Sequence, residues 1–404
     1  MSRATHEQSP DDPLAHLSDA RPEGAAARPL FCLEDGIAFL NNGGYGAAPR
    51  AVLAAQQRWR EQMEAEPVRF LKRELPVALR NAAGIFAAFL GCHGDDLVFV
   101  ENATSGVNAV LRSLEFQAGD EIVTTDHVYG AVRKTLAFVG SRSGARIVEA
   151  PLPYPGSNPE SALASIVTAL TPQTKLLVVD WITSPTALVL PIHAICAAAR
   201  ARGIPVLVDA AHAPGQVPVD IASLDADWIT GNAHKWLFGA RSSAFLWTHP
   251  DRQRDTHPTV ISHGYGAGYC AEFDWVGTRD PSTWLAVPAA IEFWRTMGGD
   301  ALMARNHRLA SEAARMLEAR LRVAAATPDA MRGAMQTIEL TRHGPADFEN
   351  ANRLTLRLAD AHGVTVPIIP FGDRLWLRIS AQLFNEMADY ERLADALDAE
   401  RTTG

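Results

Sequence analysis

Cysteine is scarce and scattered. Cys32, Cys92, Cys196 and Cys270 are the only four in 404 residues, and no two form a CxxC pair. That excludes a disulfide framework and a cysteine-rich zinc site, and it fits a reducing compartment such as the cytoplasm. Long apolar runs are missing too. The longest uncharged stretch, 181–199, contains Thr183, Ser184, Pro185, Pro191 and His193. It therefore reads as a strand end, a loop and a helix rather than a membrane span. The start, Met1 to Arg28, has no apolar segment of the signal-peptide kind. It is polar and rich in Pro, Ala and Asp, and reads as a mobile arm over residues 1–28. Basic charge is in deficit: 37 Lys+Arg against 46 Asp+Glu give a formal charge of −9. Without a basic stripe, that balance argues against nucleic acid as the main partner. Three catalytic signatures are also absent. Gly264-Tyr265-Gly266-Ala267-Gly268 is not a strand–GxGxxG–helix, and there is neither an HExxH nor a GxSxG. A nicotinamide site, a zinc protease and a serine-hydrolase elbow are thereby disfavoured, and no metal is expected.

What remains is an ordinary globular composition, 47% hydrophobic and 21% charged, long enough for about two or three domains. Short apolar runs alternate with helical spacing from Leu97 to Trp247. Such alternation predicts an α/β fold: a mostly parallel, seven-stranded sheet flanked by helices. After Trp284 the pattern changes to a long helical region broken at Gly298-Gly299, then three strand-like runs, Gln336 to Leu340, Val364 to Ile368 and Leu375 to Ile379. The expected division is a large domain over 29–285 and a smaller α+β C-terminal domain over 286–404.

In an open α/β sheet, ligands sit beyond the carboxyl ends of the strands. Polar residues collect at those ends here. Asp209 closes Val206-Leu207-Val208, and His212 follows it. Asn232, His234 and Lys235 follow Trp228-Ile229-Thr230. Asn102-Ala103-Thr104-Ser105 follows Leu97 to Val100 and opens a helix, and His127 and Tyr129 follow Ile122 to Thr124. A desolvated lysine loses its proton readily and forms Schiff bases. A semi-buried carboxylate needs a cationic partner such as a pyridinium nitrogen. A helix N-terminus with Thr and Ser hydroxyls suits a phosphate. Each feature alone reads equally as a cap, a surface charge or a satisfied histidine. Together they describe a pyridoxal 5'-phosphate site.

These motifs resemble the class V aminotransferase group of fold-type I pyridoxal-phosphate enzymes, and within it the isopenicillin N epimerase-like subgroup. The resemblance runs from about Phe39 to Ser380. It rests on Leu40-Asn41-Asn42-Gly43-Gly44-Tyr45-Gly46, Asp209-Ala210-Ala211-His212-Ala213-Pro214-Gly215, Gly231-Asn232-Ala233-His234-Lys235-Trp236 and Gly277-Thr278-Arg279-Asp280-Pro281. It implies that Lys235 carries the Schiff base and moves the Cα proton, and that Asp209 faces the pyridinium nitrogen. His212 lies near the ring hydroxyl, where related desulfurases have a Gln, and His127 stacks on the ring, with Tyr129 the weaker candidate. Ala103, Thr104, Asn232 and His234 hold the phosphate. Thr278 reaches the phosphate of a neighbouring subunit, which implies a homodimer with shared sites. Arg378 binds a substrate carboxylate, and Asn42, Tyr45 and Arg69 are further substrate-side candidates.

Two departures bear on the reaction. Thr183 and Ser184 stand where the desulfurases have an Asn near the ring hydroxyl. No Cys follows Cys270, which disfavours persulfide-forming desulfuration. The resemblance therefore implies an amino-acid epimerase or racemase of the isopenicillin N type. A carbon–sulfur β-lyase is the runner-up, and an aminotransferase stands behind both. A second acid for epimerisation is expected from His127, Tyr129 or Tyr45.

Overall fold

The computed structural model describes residues 21–401. Strand β1 (Ala38–Phe39) precedes the large sheet, which is built from β2 (Leu97–Val100), β3 (Glu121–Thr125), β4 (Arg146–Ala150), β5 (Thr174–Asp180), β6 (Val206–Asp209), β7 (Trp228–Asn232) and β8 (Ala244–Thr248). The spatial order is β2-β8-β7-β6-β5-β3-β4. β8 runs antiparallel to both of its neighbours, β2 and β7; the remaining pairs are parallel. The seven-stranded, mostly parallel sheet is as expected.

Side chains alternate between the two faces of a strand. Val179 and Val208 pack into one helical layer. Val178 and Leu207 pack into the other, with Val107 and Val110 of helix α3 (Ala103–Ser113), which follows α1 (Arg50–Ala65) and α2 (Leu75–Phe89). Asp180 and Asp209 end their strands on the α3 side and are direct register partners. Gly106 lets α3 lie close over β7, since a Cβ there would run into the Thr230 side chain. The N-terminus of α3 is thereby set at the strand ends.

The second domain has a three-stranded antiparallel sheet of β9 (Met335–Glu339), β11 (Ile368–Phe371) and β12 (Arg374–Ser380), in the order β11-β12-β9. On β12, Leu375, Leu377 and Ile379 enter the small core, so Trp376, Arg378 and Ser380 face the large domain. One expectation needs correction. The run Val364 to Ile368 is not one strand: β10 (Val364–Thr365) pairs with β1, and β11 begins at Ile368. Around the expected boundary at 286 the chain contributes to both cores. Helix α4 (Val287–Thr296) and the start of α5 (Asp300–Leu321) bury Ile291, Phe293, Leu302 and Met303 in the large core, whereas Ala38 and Leu40 belong to the small one. An amphipathic pattern shows that a helix has a buried face but not which core receives it. Overlapping the end of the expected arm, Gly24–Leu30 forms a 3-10 helix with Ala27 fully buried. The arm's first twenty residues lie outside those described.

Candidate active site

A cavity of about 630 Å³ opens at the carboxyl ends of β5, β6 and β7. Its wall includes Asp180, Asp209, His212, Asn232, His234 and Lys235, together with the first turn of α3, Tyr45, Tyr129 and Ser184. Lys235 opens into it from the turn after β7. Its amine lies 3.2 Å from Nε2 of His212. Burial pushes Lys235 down to about 8; Asp209 pulls the other way and Arg378 reinforces the fall. The lysine is anchored from behind. Nδ2 of Asn42 donates to its carbonyl at 3.0 Å, and Gly46 lies so close to the carbonyls of His234 and Lys235 that a Cβ would collide with both.

Asp209 accepts the Ala211 amide at 2.9 Å. Burial raises its carboxyl above the usual range, opposed by that amide and by Lys235. Asp180 is raised further, first by burial and then by Asp209. Its Oδ2 is buried with no hydrogen-bond partner. Two buried carboxyls side by side favour a cation placed beside them. Arg378 reaches from β12, and its Nη1 donates to the Ser184 carbonyl at 2.6 Å and hydroxyl at 3.1 Å. Its Nε is buried without a partner, and burial pushes the guanidinium down to about 10.

At the helix N-terminus, Asn102 caps α3 by accepting the Ser105 amide. The Ala103 amide, expected to be a phosphate donor, is engaged by Oδ1 of Asn232 at 2.9 Å. Thr104 and Asn232 still line the cavity. His234 lines it as well, and its Nδ1 donates to the Ser243 carbonyl at 2.9 Å. Burial pushes His234 down to about 4.

Several expected site residues lie elsewhere. His127 is fully buried and does not line the cavity. Its Nε2 donates to the Leu152 carbonyl at 3.1 Å, its Nδ1 accepts from the Thr186 hydroxyl at 2.6 Å, and its ring packs edge-on against Phe371 at 4.6 Å. Both ring nitrogens are thus engaged within the protein. Thr183 is part of the same network: its hydroxyl bonds Thr186 and accepts the Leu188 amide. Asn42 is a support for the lysine, not a wall residue. Arg69 is exposed and pairs with Glu74 at 2.8 Å. Thr278 is exposed and lies off this cavity. Asp180 carries the same signal as Asp209, an acid ending an apolar strand, but had been given no role of its own. Arg241, also on the wall, gave no such signal.

The aminotransferase class-V family model matches residues 38–389. The chain belongs to that family. In this class V enzyme the cofactor is pyridoxal phosphate. The chain is 33% identical to the isopenicillin N epimerase of Streptomyces clavuligerus, over 92% of this chain and 97% of the relative. It is 30% identical to the L-cysteine desulfhydrase of Arabidopsis thaliana, over 90% and 88%. The solved cysteine desulfurase of Thermococcus onnurineus superposes with a TM-score of 0.80 at 18% identity, covering 94% of this chain and 98% of that one. The residues of this class V enzyme fit the cofactor. The carboxyl pair with its unpartnered oxygen calls for a ring cation, the depressed amine suits an aldehyde, and the α3 terminus suits a phosphate.

Proposed function

We propose that this class V enzyme eliminates the β-sulfur substituent of cysteine or an S-substituted cysteine. The observation that carries this reading is the fate of His127. With that histidine closed off, the base on the wall is the Lys235 amine, which burial brings down to about 8. Elimination needs one such base; epimerisation needs a second proton donor on the opposite face. When bound, pyridoxal phosphate supplies an aldehyde for amines and an electron-poor ring that stabilises charge at Cα. The chain's own residues do the rest. Arg378 holds the substrate carboxylate through a guanidinium fork. Lys235 takes the Cα proton and returns one to the departing sulfur. Asp209, with Asp180 beside it, keeps the ring nitrogen protonated. Thr104 and the α3 terminus hold the phosphate. The balanced reaction consumes water and releases a 2-keto acid, ammonia and a thiol or sulfide.

The test is incubation with L-cysteine and its thioethers in D₂O. Keto acid and thiol in equal amounts are expected. A deuterated enantiomer with no thiol would replace this reading with epimerisation, which Tyr129 on the cavity wall favours as the opposing acid. In the same assay Arg378→Ala removes a charged hydrogen bond worth about 1.5–3 kcal/mol. KM is expected to rise by roughly one to two orders of magnitude, with kcat less affected.

The working unit on this reading is two copies of the chain. Thr259 lines the cavity, and its neighbours Val260 and Ile261 are exposed, at 54% and 56%. Apolar side chains at the mouth of a polar site suit a second copy, which would also receive Thr278. Sedimentation is expected at the mass of two chains; a single-chain mass at micromolar concentration would remove this assignment. Among the described residues no helix is long and apolar enough to cross a membrane, and the cytoplasm is the proposed location.

A further inference from the structure

The histidine beside the lysine sits in a built setting. Nε1 of Trp236 donates to Nδ1 of His212 at 3.3 Å, and both side chains are buried. Both backbones are fixed as well. Gln216 donates to the His212 carbonyl at 2.7 Å, and Gln382 donates to the Trp236 carbonyl at 3.3 Å. Gly215, at φ +81°, folds the intervening turn onto Trp236, where a Cβ would lie 2.7 Å from the Trp236 carbonyl.

An indole nitrogen can only donate, and a neutral imidazole carries one proton. A nitrogen that faces an indole N–H must therefore be the bare one. We propose that Trp236 is a positioning residue that locks His212 in the tautomer with its proton on Nε2, so that His212 can only donate to what faces it. In the cofactor-free chain that partner is the Lys235 amine. On the cofactor reading above, which this part of the inference rests on, it is the ring hydroxyl oxygen.

The lock explains a departure in the sequence. The related desulfurases have a Gln at this place, and an amide NH₂ donates without any choice of tautomer. A histidine does have that choice, and an indole on the far nitrogen removes it. The lock also acts on the lysine. An ammonium facing an N–H meets donor against donor, so the Nε2–H favours the neutral amine. The other charged groups around Lys235 are Asp209, Asp180 and Arg378. His212 is itself kept neutral by burial and by the nearby Lys235, Arg378 and His234.

Two measurements on the full chain test this. In the cofactor-free protein labelled with ¹⁵N-histidine, with His212 assigned by its loss in His212→Gln, the His212 proton is expected on Nε2. In Trp236→Phe it is expected to redistribute to Nδ1. Finding it on Nδ1 in the parent chain overturns the proposal. Second, cofactor capture is followed by absorbance across pH. Trp236→Phe lets the imidazole accept from an ammonium, so the midpoint is expected to rise by about one pH unit, a tenfold change in proton affinity. In the His212→Gln background the same substitution is expected to shift nothing. An equal shift in both backgrounds makes Trp236 a packing residue only, and no shift in either removes its effect on the lysine. If the parent chain captures no cofactor, the functional reading fails while the tautomer measurement still decides this one.

Discussion

Lys235→Ala is expected to lower turnover about 10⁴-fold, the upper range for loss of a positioned acid–base group. The lysine is where two effects meet. Burial removes the ammonium's hydration and brings the group down to about 8, so a useful fraction of neutral amine exists at physiological pH. The backbone behind it is clamped by Asn42 and Gly46, so the side chain is aimed and not merely present. Because the neutral form is the competent one, cofactor capture by the parent chain should increase with pH and level off above about 8. The chemical check is direct. Only four lysines occur, at positions 72, 134, 175 and 235. After borohydride reduction with pyridoxal phosphate, digestion should place the label on the peptide carrying Lys235 and remove it in the variant. A label that survives in Lys235→Ala, or activity within tenfold of the parent, would sink the assignment.

The parts of the site that could be read from the sequence are those fixed by a strand end or a helix start. Asp209, Asn232, Lys235 and Thr104 all lie within a few residues of an apolar run whose period defines the edge on which ligands bind. Proximity in sequence and in space coincide there. His127 satisfied the same criterion yet does not line the cavity, because its partners are not adjacent in the chain. The Thr183–Thr186 turn and the Leu152 carbonyl arrive from other connections and engage both ring nitrogens. Asn42 illustrates the same limit, since its partner carbonyl is 193 residues away. The fold shows the parallel case. Periodicity located α4 and α5 but could not say that α4 and the start of α5 pack into the large core, or that Ala38 and Leu40 pack into the small one. Asp180 could have been found, because it ends its strand as Asp209 does. Its importance appears only when the register places the two side by side.

Asp209→Asn is expected to move stability and activity in opposite directions. The Asp180 and Asp209 carboxyls share a buried strand edge, and burial holds both above their ordinary range. A carboxyl raised on folding contributes stability below its unfolded value and loses it as pH rises through its folded value. The cofactor-free parent should therefore lose stability from mildly acid to neutral pH. The amide keeps an oxygen for the Ala211 N–H and removes one of the two charges. At pH 7 the cofactor-free variant should melt slightly higher, roughly 1 °C for about 1 kcal/mol in a chain of this size. With pyridoxal phosphate present the order should reverse. A ring cation compensates the carboxylates in the parent, whereas the amide offers it no charge, so the variant gains less from binding. Turnover should fall about 10²–10³-fold, the range for loss of one preorganised electrostatic partner. Melting curves across pH, with and without cofactor, read both signs at once. A variant less stable than the parent under both conditions would mean that Asp209 is held for the fold and not for a cation bound beside it.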